Sequence, residues 1–194
     1  HQDGEAGVFY PYDPEKAKAK LAEAGYPDGF STTLYSHNVD PWPKILQSIQ
    51  NDLEQVGIKA EVKILDRATY WTLIGKPDGC AMGLNDWWMD FPDPSDFIIP
   101  LFSRSTAIEE GTNPSFFWDE KVEELLAAAQ ANTDVADRTL QFVEMQRLIM
   151  DEAPAVPLYQ PKIDSMHTAD LGGFYLHPVW IFSFPDYYFT TAQK

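Results

Sequence analysis

The chain has 194 residues, 44% of them hydrophobic and 14% aromatic, which is enough for a core of its own and suits a single domain. Its 14 basic and 30 acidic side chains give a net charge of −16 with no Lys/Arg cluster, which argues against nucleic acid and anionic membranes as partners. The single cysteine, Cys80, excludes an intramolecular disulfide framework, and no apolar run approaches the roughly 20 residues that span a bilayer.

Strands and helices are predicted to alternate through the first half of the chain. Asp13-Pro14 is a helix-entry pattern, with Asp as the N-cap, and Gly25 suits the exit. The later elements follow from apolar residues spaced for a helix or alternating for a strand. In chain order they are a strand over 31–36, a helix over 43–56 ending at Gly57, a strand over 58–64, a helix over 66–74, a turn over 77–79 and a short buried strand over 80–84.

The second half is predicted to be helical first and irregular later. Asp119 can cap a helix whose apolar stripe includes Val122 and Ala129, and Thr133 or Asp134 can start another with Phe142 and Ile149 on one face. Residues 101–117 are predicted to form a long loop, and the final third to contain strands and loops. Strands alternating with helices predict an α/β fold, a mixed sheet flanked by helices, in which ligands bind beyond strand ends.

The stretch Asp86-Trp87-Trp88-Met89-Asp90-Phe91-Pro92-Asp93-Pro94 follows the predicted strand at Cys80 and is the strongest candidate for a binding site. Its prolines stop a strand, so flat apolar side chains and carboxylates are displayed at the strand end. The alternative is structural, because Trp is often core and Asp-Pro is often a turn.

Catalytic and metal-binding patterns are weaker. Asp86, Asp90, Asp93 and Asp96 could include the acid/base pair of a glycoside hydrolase, but only their separation in space decides that. The spacing of a calcium loop is absent. His1, His37, His167 and His177 show no metal-ligand spacing, which favours surface or loop positions. No nucleophile elbow or phosphate loop occurs, and Cys80 is expected to be a small core residue. We expect no cofactor and no enzymatic activity.

The 86–94 stretch resembles the Gly-Trp-x-x-Asp-Tyr-Pro-Asp-Pro motif of the extracytoplasmic solute-binding proteins of peptide-type ABC importers, solute-binding protein family 5. Trp87, Asp90, Pro92, Asp93 and Pro94 match it. Asp86 departs from the family's usual Gly, and Phe91 from its usual Tyr. Further stretches resemble the family in the expected order, at 12–17, 23–30, 53–58 and 151–159.

The resemblance implies one lobe of a type II periplasmic-binding-protein fold. Residues 1–194 would form a single domain, chiefly the C-terminal lobe, with the N-terminal lobe absent. It also implies that Asp90 receives the α-ammonium of a bound peptide and that Trp87 forms an apolar wall. Asp86 is a further candidate for ligand binding. If the strand continues through the motif, alternation turns Trp88 the opposite way, and it is expected to be core.

Three residues outside the motif are candidates for the cleft border. Asn38 and Trp42 lie between a predicted strand and a predicted helix, and Arg104 could pair with a ligand carboxylate. Loop packing and a solvated arginine are the structural alternatives.

The implied function is capture of peptides by hinge closure, outside the cytoplasmic membrane, for an ABC importer. The implied partners are a peptide or other small solute, the permease subunits and the missing N-terminal lobe. The implied location is periplasmic or at the cell surface, with a lipid anchor as one option. Oligosaccharides or nickel chelates are alternative ligands, and a secreted acid/base hydrolase is the alternative from another class.

Overall fold

The computed structural model describes residues 10–177, 179, 181–182 and 188–189. The predicted alternation of helices and strands in the first half is confirmed, with small shifts of the ends. The helices are α1 (Pro14–Glu23), α2 (Trp42–Gln55), α3 (Arg67–Ile74), α4 (Ser95–Phe102), α5 (Glu120–Ala131) and α6 (Val135–Glu152). The strands are β1 (Ser31–His37), β2 (Lys59–Leu65), β3 (Met82–Gly83), β4 (Leu171–Gly172), β5 (Leu176–His177), β6 (Ile181–Phe182) and β7 (Tyr188–Phe189).

Strand β1 lies at the centre of a three-stranded sheet ordered β2-β1-β3, and both of its neighbours run parallel to it. Seven residue pairs align β1 with β2, from Ser31 beside Lys59 to His37 beside Leu65. The antiparallel pairs in the described residues, β4 with β7 and β5 with β6, are separate two-stranded ribbons. The α/β class is confirmed, and the parallel pairing brings the carboxyl ends of β1, β2 and β3 to one edge.

Two apolar cores hold these elements. Leu34, Leu46 and Leu84 are buried together where α2 covers one face of the sheet. The second core joins α4, α5 and α6 around Val122 and Met145, both fully buried. The helical stripes predicted from the sequence are therefore core, as expected.

Helix α4 was not predicted from the sequence. Asp93 accepts hydrogen bonds from the Ser95 N–H at 2.9 Å and the Ser95 hydroxyl at 2.5 Å, and the helix begins there. Asp93-Pro94 is the same helix-entry pattern as Asp13-Pro14, and it was interpreted only as a turn. The predicted loop over 101–117 accordingly begins later, because Leu101 and Phe102 belong to α4.

An ion pair joins this helix entry to α6. The Arg138 guanidinium contacts both carboxylate oxygens of Asp93, at 2.8 and 2.9 Å, and its Nε donates to the Ala129 carbonyl at 2.9 Å. Hydrogen bonds from Arg138, and then from Ser95, hold the pKa of Asp93 at about 2, well below its usual value. Asp93 is therefore a structural anion that ties the 86–94 stretch to the helical core.

The strand predicted over 80–84 is shorter and less buried than expected. Only Met82 and Gly83 pair with β1, and Met82 is 40% exposed. Trp88, predicted to be core, is 49% exposed. That prediction was wrong because it assumed strand alternation through Trp88, whereas the chain is irregular after Gly83. None of the described helices is both long enough and apolar enough to cross a membrane.

The turn before β1 requires glycine at position 29. Gly29 has φ of +75°, and a Cβ there would lie 2.0 Å from the carbonyl oxygen of Gly57. Gly25 has φ of +88° but no atom within 4 Å of the added Cβ.

We expect Gly25→Ala to cost about 1–2 kcal/mol for the left-handed backbone alone. Gly29→Ala should cost more by about 1–3 kcal/mol because two backbone segments must also separate. Urea unfolding of both variants measures this, and equal losses would contradict the proposed clash.

The Asp93–Arg138 pair gives a second prediction. Asp93→Asn should lower the free energy of unfolding by about 1–3 kcal/mol at pH 7. The folded-state pKa of Asp93 is depressed to about 2, so its contribution is complete above the unfolded pKa of about 4 and is lost as the pH falls towards 2. The difference between wild type and variant should therefore shrink between pH 5 and pH 3. Arg138→Gln should reproduce both effects, and a constant difference across this range would refute the assignment.

Candidate functional site

A pocket of about 230 Å³ opens at the carboxyl edge of the sheet. One side is the end of α3, another is the chain leaving β3, and the third is the loop before α5. Its lining residues are Trp71, Ile74, Gly75, Asn85, Asp86, Trp87, Gly111, Thr112 and Pro114. Asp86 and Trp87, both predicted to bind ligand, are therefore in the pocket wall, as expected for a site beyond the ends of parallel strands.

The loop over 103–119 is an ordered wall of this pocket. Asn113 is fully buried, and its amide donates to the carbonyls of Ser103 and Phe117 at 3.3 and 2.7 Å. The Glu110 N–H donates to the Gly75 carbonyl at 2.8 Å, which joins the loop to the end of α3. Internal hydrogen bonds thus place Gly111, Thr112 and Pro114 against the pocket without regular secondary structure.

Aromatic rings pack behind the pocket, at the end of β1. The His37 imidazole stacks on Trp42 with ring centres 3.9 Å apart, and Tyr70 meets both rings edge-on. Trp71, which lines the pocket, lies 5.9 Å from Trp42 in an edge-to-face arrangement. Trp42 therefore supports the pocket through Trp71 and is not itself in the lining.

His37 is 4% exposed, so its predicted surface or loop position is wrong. Its Nδ1 accepts a hydrogen bond from the Val39 N–H at 3.2 Å. Burial lowers the pKa of His37, the positive charge of Arg67 lowers it further, and the carboxylate of Asp86 raises it. Strand alternation alone did not predict this burial: Ser36 and His37 point to opposite faces of the strand and are both buried, so both faces are covered at the end of β1.

Burial also keeps the Tyr70 hydroxyl and the Cys80 thiol protonated. It raises the pKa of Tyr70, whose hydroxyl donates to the Leu84 carbonyl and so holds the chain as it leaves β3. Burial likewise raises the pKa of the Cys80 thiol to about 11. A protonated, partly buried thiol is a weak nucleophile, which supports the interpretation of Cys80 as a packing residue.

The two tryptophans of the motif differ in environment. Trp87 is partly buried, and its indole Nε1 is buried without a hydrogen-bond partner among the residues that the structure describes. Trp88 is exposed. An unpaired buried donor is costly, and an acceptor on a ligand or another protein segment would relieve that cost.

Asp90 lies three residues after Trp87 and is exposed. Its backbone N–H donates to the Asp96 carboxylate at 2.6 Å, and Asp96 is 3% exposed. The Asp90 carboxylate forms no ion pair or hydrogen bond with another described residue. Asp90 is not in the pocket lining, and its exposed side chain is three residues along the chain from Trp87, which is in the lining.

The remaining predicted residues lie apart from the pocket lining. Asn38 is exposed in the turn after β1. Arg104 stacks its guanidinium over Trp118, 4.4 Å from the ring centre, and its backbone N–H donates to Glu123 at 2.8 Å. Their roles in ligand binding stay predictions.

The acid/base and metal alternatives lose support from the contacts of the motif. Asp93 pairs with Arg138 and Asp96 accepts the Asp90 N–H, so two of the four carboxylates are engaged. Within the described residues, no group of three or more His, Cys, Asp or Glu could hold a metal ion. His167 is exposed, and His1 lies outside the described residues.

A larger groove, of about 520 Å³, lies elsewhere. Its lining includes Ser31, Thr33, Lys59 and Glu61, which are among the first residues of β1 and β2. It is therefore at the amino ends of the parallel strands. We assign the site to the smaller pocket because ligands of such sheets bind at the carboxyl ends and because the motif residues line it.

Solved structures of peptide-binding proteins share this fold. The periplasmic binding protein DppA from Helicobacter pylori, in complex with the peptide STSA, matches with a TM-score of 0.84 at 29% identity, over 94% of this chain and 35% of that one. The dipeptide-binding protein from Pseudoalteromonas sp. SM9913, in complex with Met-Leu, matches with a TM-score of 0.78 at 25% identity, over 97% of this chain and 39% of that one. The type II periplasmic-binding-protein fold is therefore confirmed.

Sequence comparison agrees with the structural comparison. The glutathione-binding protein GsiB of Escherichia coli strain K12 is 38% identical over 182 residues, which is 91% of this chain and 36% of that protein. The chain thus spans about a third of the length of this relative. The model of the bacterial extracellular solute-binding proteins, family 5, middle region, matches residues 1–108. Since that match covers more than half of the chain, the protein belongs to family 5 of the bacterial extracellular solute-binding proteins.

Proposed function

We propose that this chain is the C-terminal lobe of the binding component of an ABC importer that captures peptides through their free α-amino group. The observation that carries the proposal is the Asp90 carboxylate, which is exposed, has no described partner and lies three residues along the chain from Trp87, a wall of the pocket together with Trp71. A carboxylate beside an apolar wall suits an ammonium group on a compact solute.

The relatives support this ligand class. Two structural neighbours hold the peptides STSA and Met-Leu, and the relatives at 38% identity are named as glutathione-binding. These ligands share a free α-ammonium and differ in length and side chains. A contact to the ammonium therefore accounts for the shared chemistry, while the rest of the pocket sets the preference among them.

Mechanistically, a second lobe would close over the pocket and exclude water. The Asp90–ammonium contact is weak in water and strengthens as its surroundings lose solvent. The exposed side chain of Trp88 is a surface that such a wall would cover. We propose the remainder of the same protein as that wall, the permease subunits as the receiving partner, and an extracytoplasmic location.

The first test is substitution of Asp90 in the complete protein that carries this chain. Asp90→Asn should weaken binding of Met-Leu and Ser-Thr-Ser-Ala by about 2–5 kcal/mol, the cost of removing one partner of a buried charge pair. N-acetylated peptides should bind wild type poorly for the same reason. Isothermal titration calorimetry measures both effects.

Asp52→Asn is the matched control for this change, because Asp52 is exposed on α2 and makes no ion pair among the described residues. It alters the net charge equally and should leave affinity unchanged. Equal affinity of wild type for free and acetylated peptides would exclude the ammonium contact. Tight binding of a sugar or a nickel chelate instead would select the alternative ligands.

The second test concerns the contribution of the other lobe. This chain alone should bind the same peptides at about millimolar Kd or more weakly, near −4 kcal/mol, because each contact from the second wall and its exclusion of water are missing. Tryptophan fluorescence follows the titration. Saturable micromolar binding by this chain alone would show that one lobe is a complete site.

A further inference from the structure

Asp90 is held by contacts that do not involve its own side chain. Its backbone N–H donates to the Asp96 carboxylate at 2.6 Å, within a charge-assisted distance. Asp96 is 3% exposed and lies in the first turn of α4. The position of Asp90 is therefore set by a buried carboxylate six residues further along the chain.

The start of α4 is in turn held from α6. The Asp96 N–H donates a hydrogen bond to the Asp93 carbonyl at 3.0 Å. The Asp93 carboxylate accepts a hydrogen bond from the Ser95 N–H and contacts both terminal nitrogens of Arg138. This contact spans 45 positions of sequence. It connects the helical core to the segment that carries Asp90.

Arg138 is itself fixed on three sides. Its Nε donates to the carbonyl of Ala129, and its guanidinium lies 4.8 Å from the ring centre of Phe142, which is 3% exposed. The Asp93 carboxylate occupies the third side. The Arg138 guanidinium is planar and is held at several atoms. The position of Asp93 is therefore fixed relative to α5 and α6.

We infer that Arg138 is a positioning residue for ligand binding: through Asp93 and Asp96 it holds Asp90 where its carboxylate can meet the ligand's α-ammonium. The inference rests on the proposed function, since it assigns the position of the proposed ammonium contact. Arg138 touches neither the pocket nor Asp90. Its loss should therefore act on the ammonium contact selectively and leave the apolar contacts of the pocket in place.

The test compares two affinities in the complete protein. The measured quantity is the ratio of the Kd of N-acetyl-Met-Leu to that of Met-Leu, obtained by calorimetry at pH 7. A smaller folded fraction weakens both apparent affinities equally, so this ratio separates positioning from a general loss of stability. Arg138→Gln should lower the ratio by about tenfold, within the range for residues coupled in one network.

Two further variants sharpen the result. Arg138→Lys keeps the charge but cannot form the two-pronged contact with Asp93 together with the Ala129 bond, so it should recover the ratio only in part. Arg147→Gln is the matched control, because Arg147 is exposed on the same helix and makes no ion pair with any described residue. It makes the same change of charge and should leave the ratio at the wild-type value.

The outcomes separate this inference from the proposed function. If wild type prefers the free amine and Asp90→Asn abolishes the preference, but Arg138→Gln retains it, the positioning role is overturned and the proposed function stands. If wild type shows no preference, the proposed function fails and the positioning role with it. Non-additivity supports the inference: once Asp90→Asn is present, Arg138→Gln should change the ratio no further.

Discussion

Parallel pairing of β1 with both of its neighbours is the constraint on which the site depends. A parallel sheet sends every strand out at the same edge, so the chain segments after β1, β2 and β3 must all continue there. The segment after β1 supplies His37 and leads into Trp42, and the segment after β2 leads into α3 with Trp71. The segment after β3 supplies Asp86, Trp87 and Asp90. Residues from three separate stretches of the chain are thus brought to one edge of the sheet.

The aromatic cluster behind the pocket supports the pocket wall. Tyr70 is fully buried, and its hydroxyl donates to the Leu84 carbonyl. The His37 imidazole, at the end of β1, stacks on Trp42, the first residue of α2. Rings of this size have few rotamers, so they form a stiff backing for Trp71. The same burial lowers the pKa of His37 and keeps it neutral beside Arg67. The charged carboxylates of Asp86 and Asp90 are therefore exposed, whereas the aromatic cluster behind the pocket is uncharged.

The carboxylates of the motif divide into two groups by their contacts. Asp93 and Asp96 are acceptors for Arg138, Ser95 and the Asp90 N–H, and they stabilise the local backbone. Asp86 and Asp90 are exposed and have no described ion-pair partner. Neighbouring acids in one stretch therefore differ in role: Asp93 and Asp96 hold the local structure, whereas Asp86 and Asp90 are exposed. The difference arises because only Asp93 and Asp96 face a guanidinium or a backbone amide.

The family resemblance followed from the 86–94 motif, and the alternating elements of the first half and the capped helices α5 and α6 could be predicted because caps and apolar spacing are local signals. Which residues surround the motif depends on how the elements pack in three dimensions. Trp88 is exposed because the strand pairing of β3 ends at Gly83, and His37 is buried because both faces of β1 are covered at its end. Asp93 and Arg138 are 45 residues apart, and Trp71 and Asp86 line the same pocket only because α3 packs on the sheet. Contacts between distant residues depend on how elements pack, and one-dimensional periodicity carries no information about that.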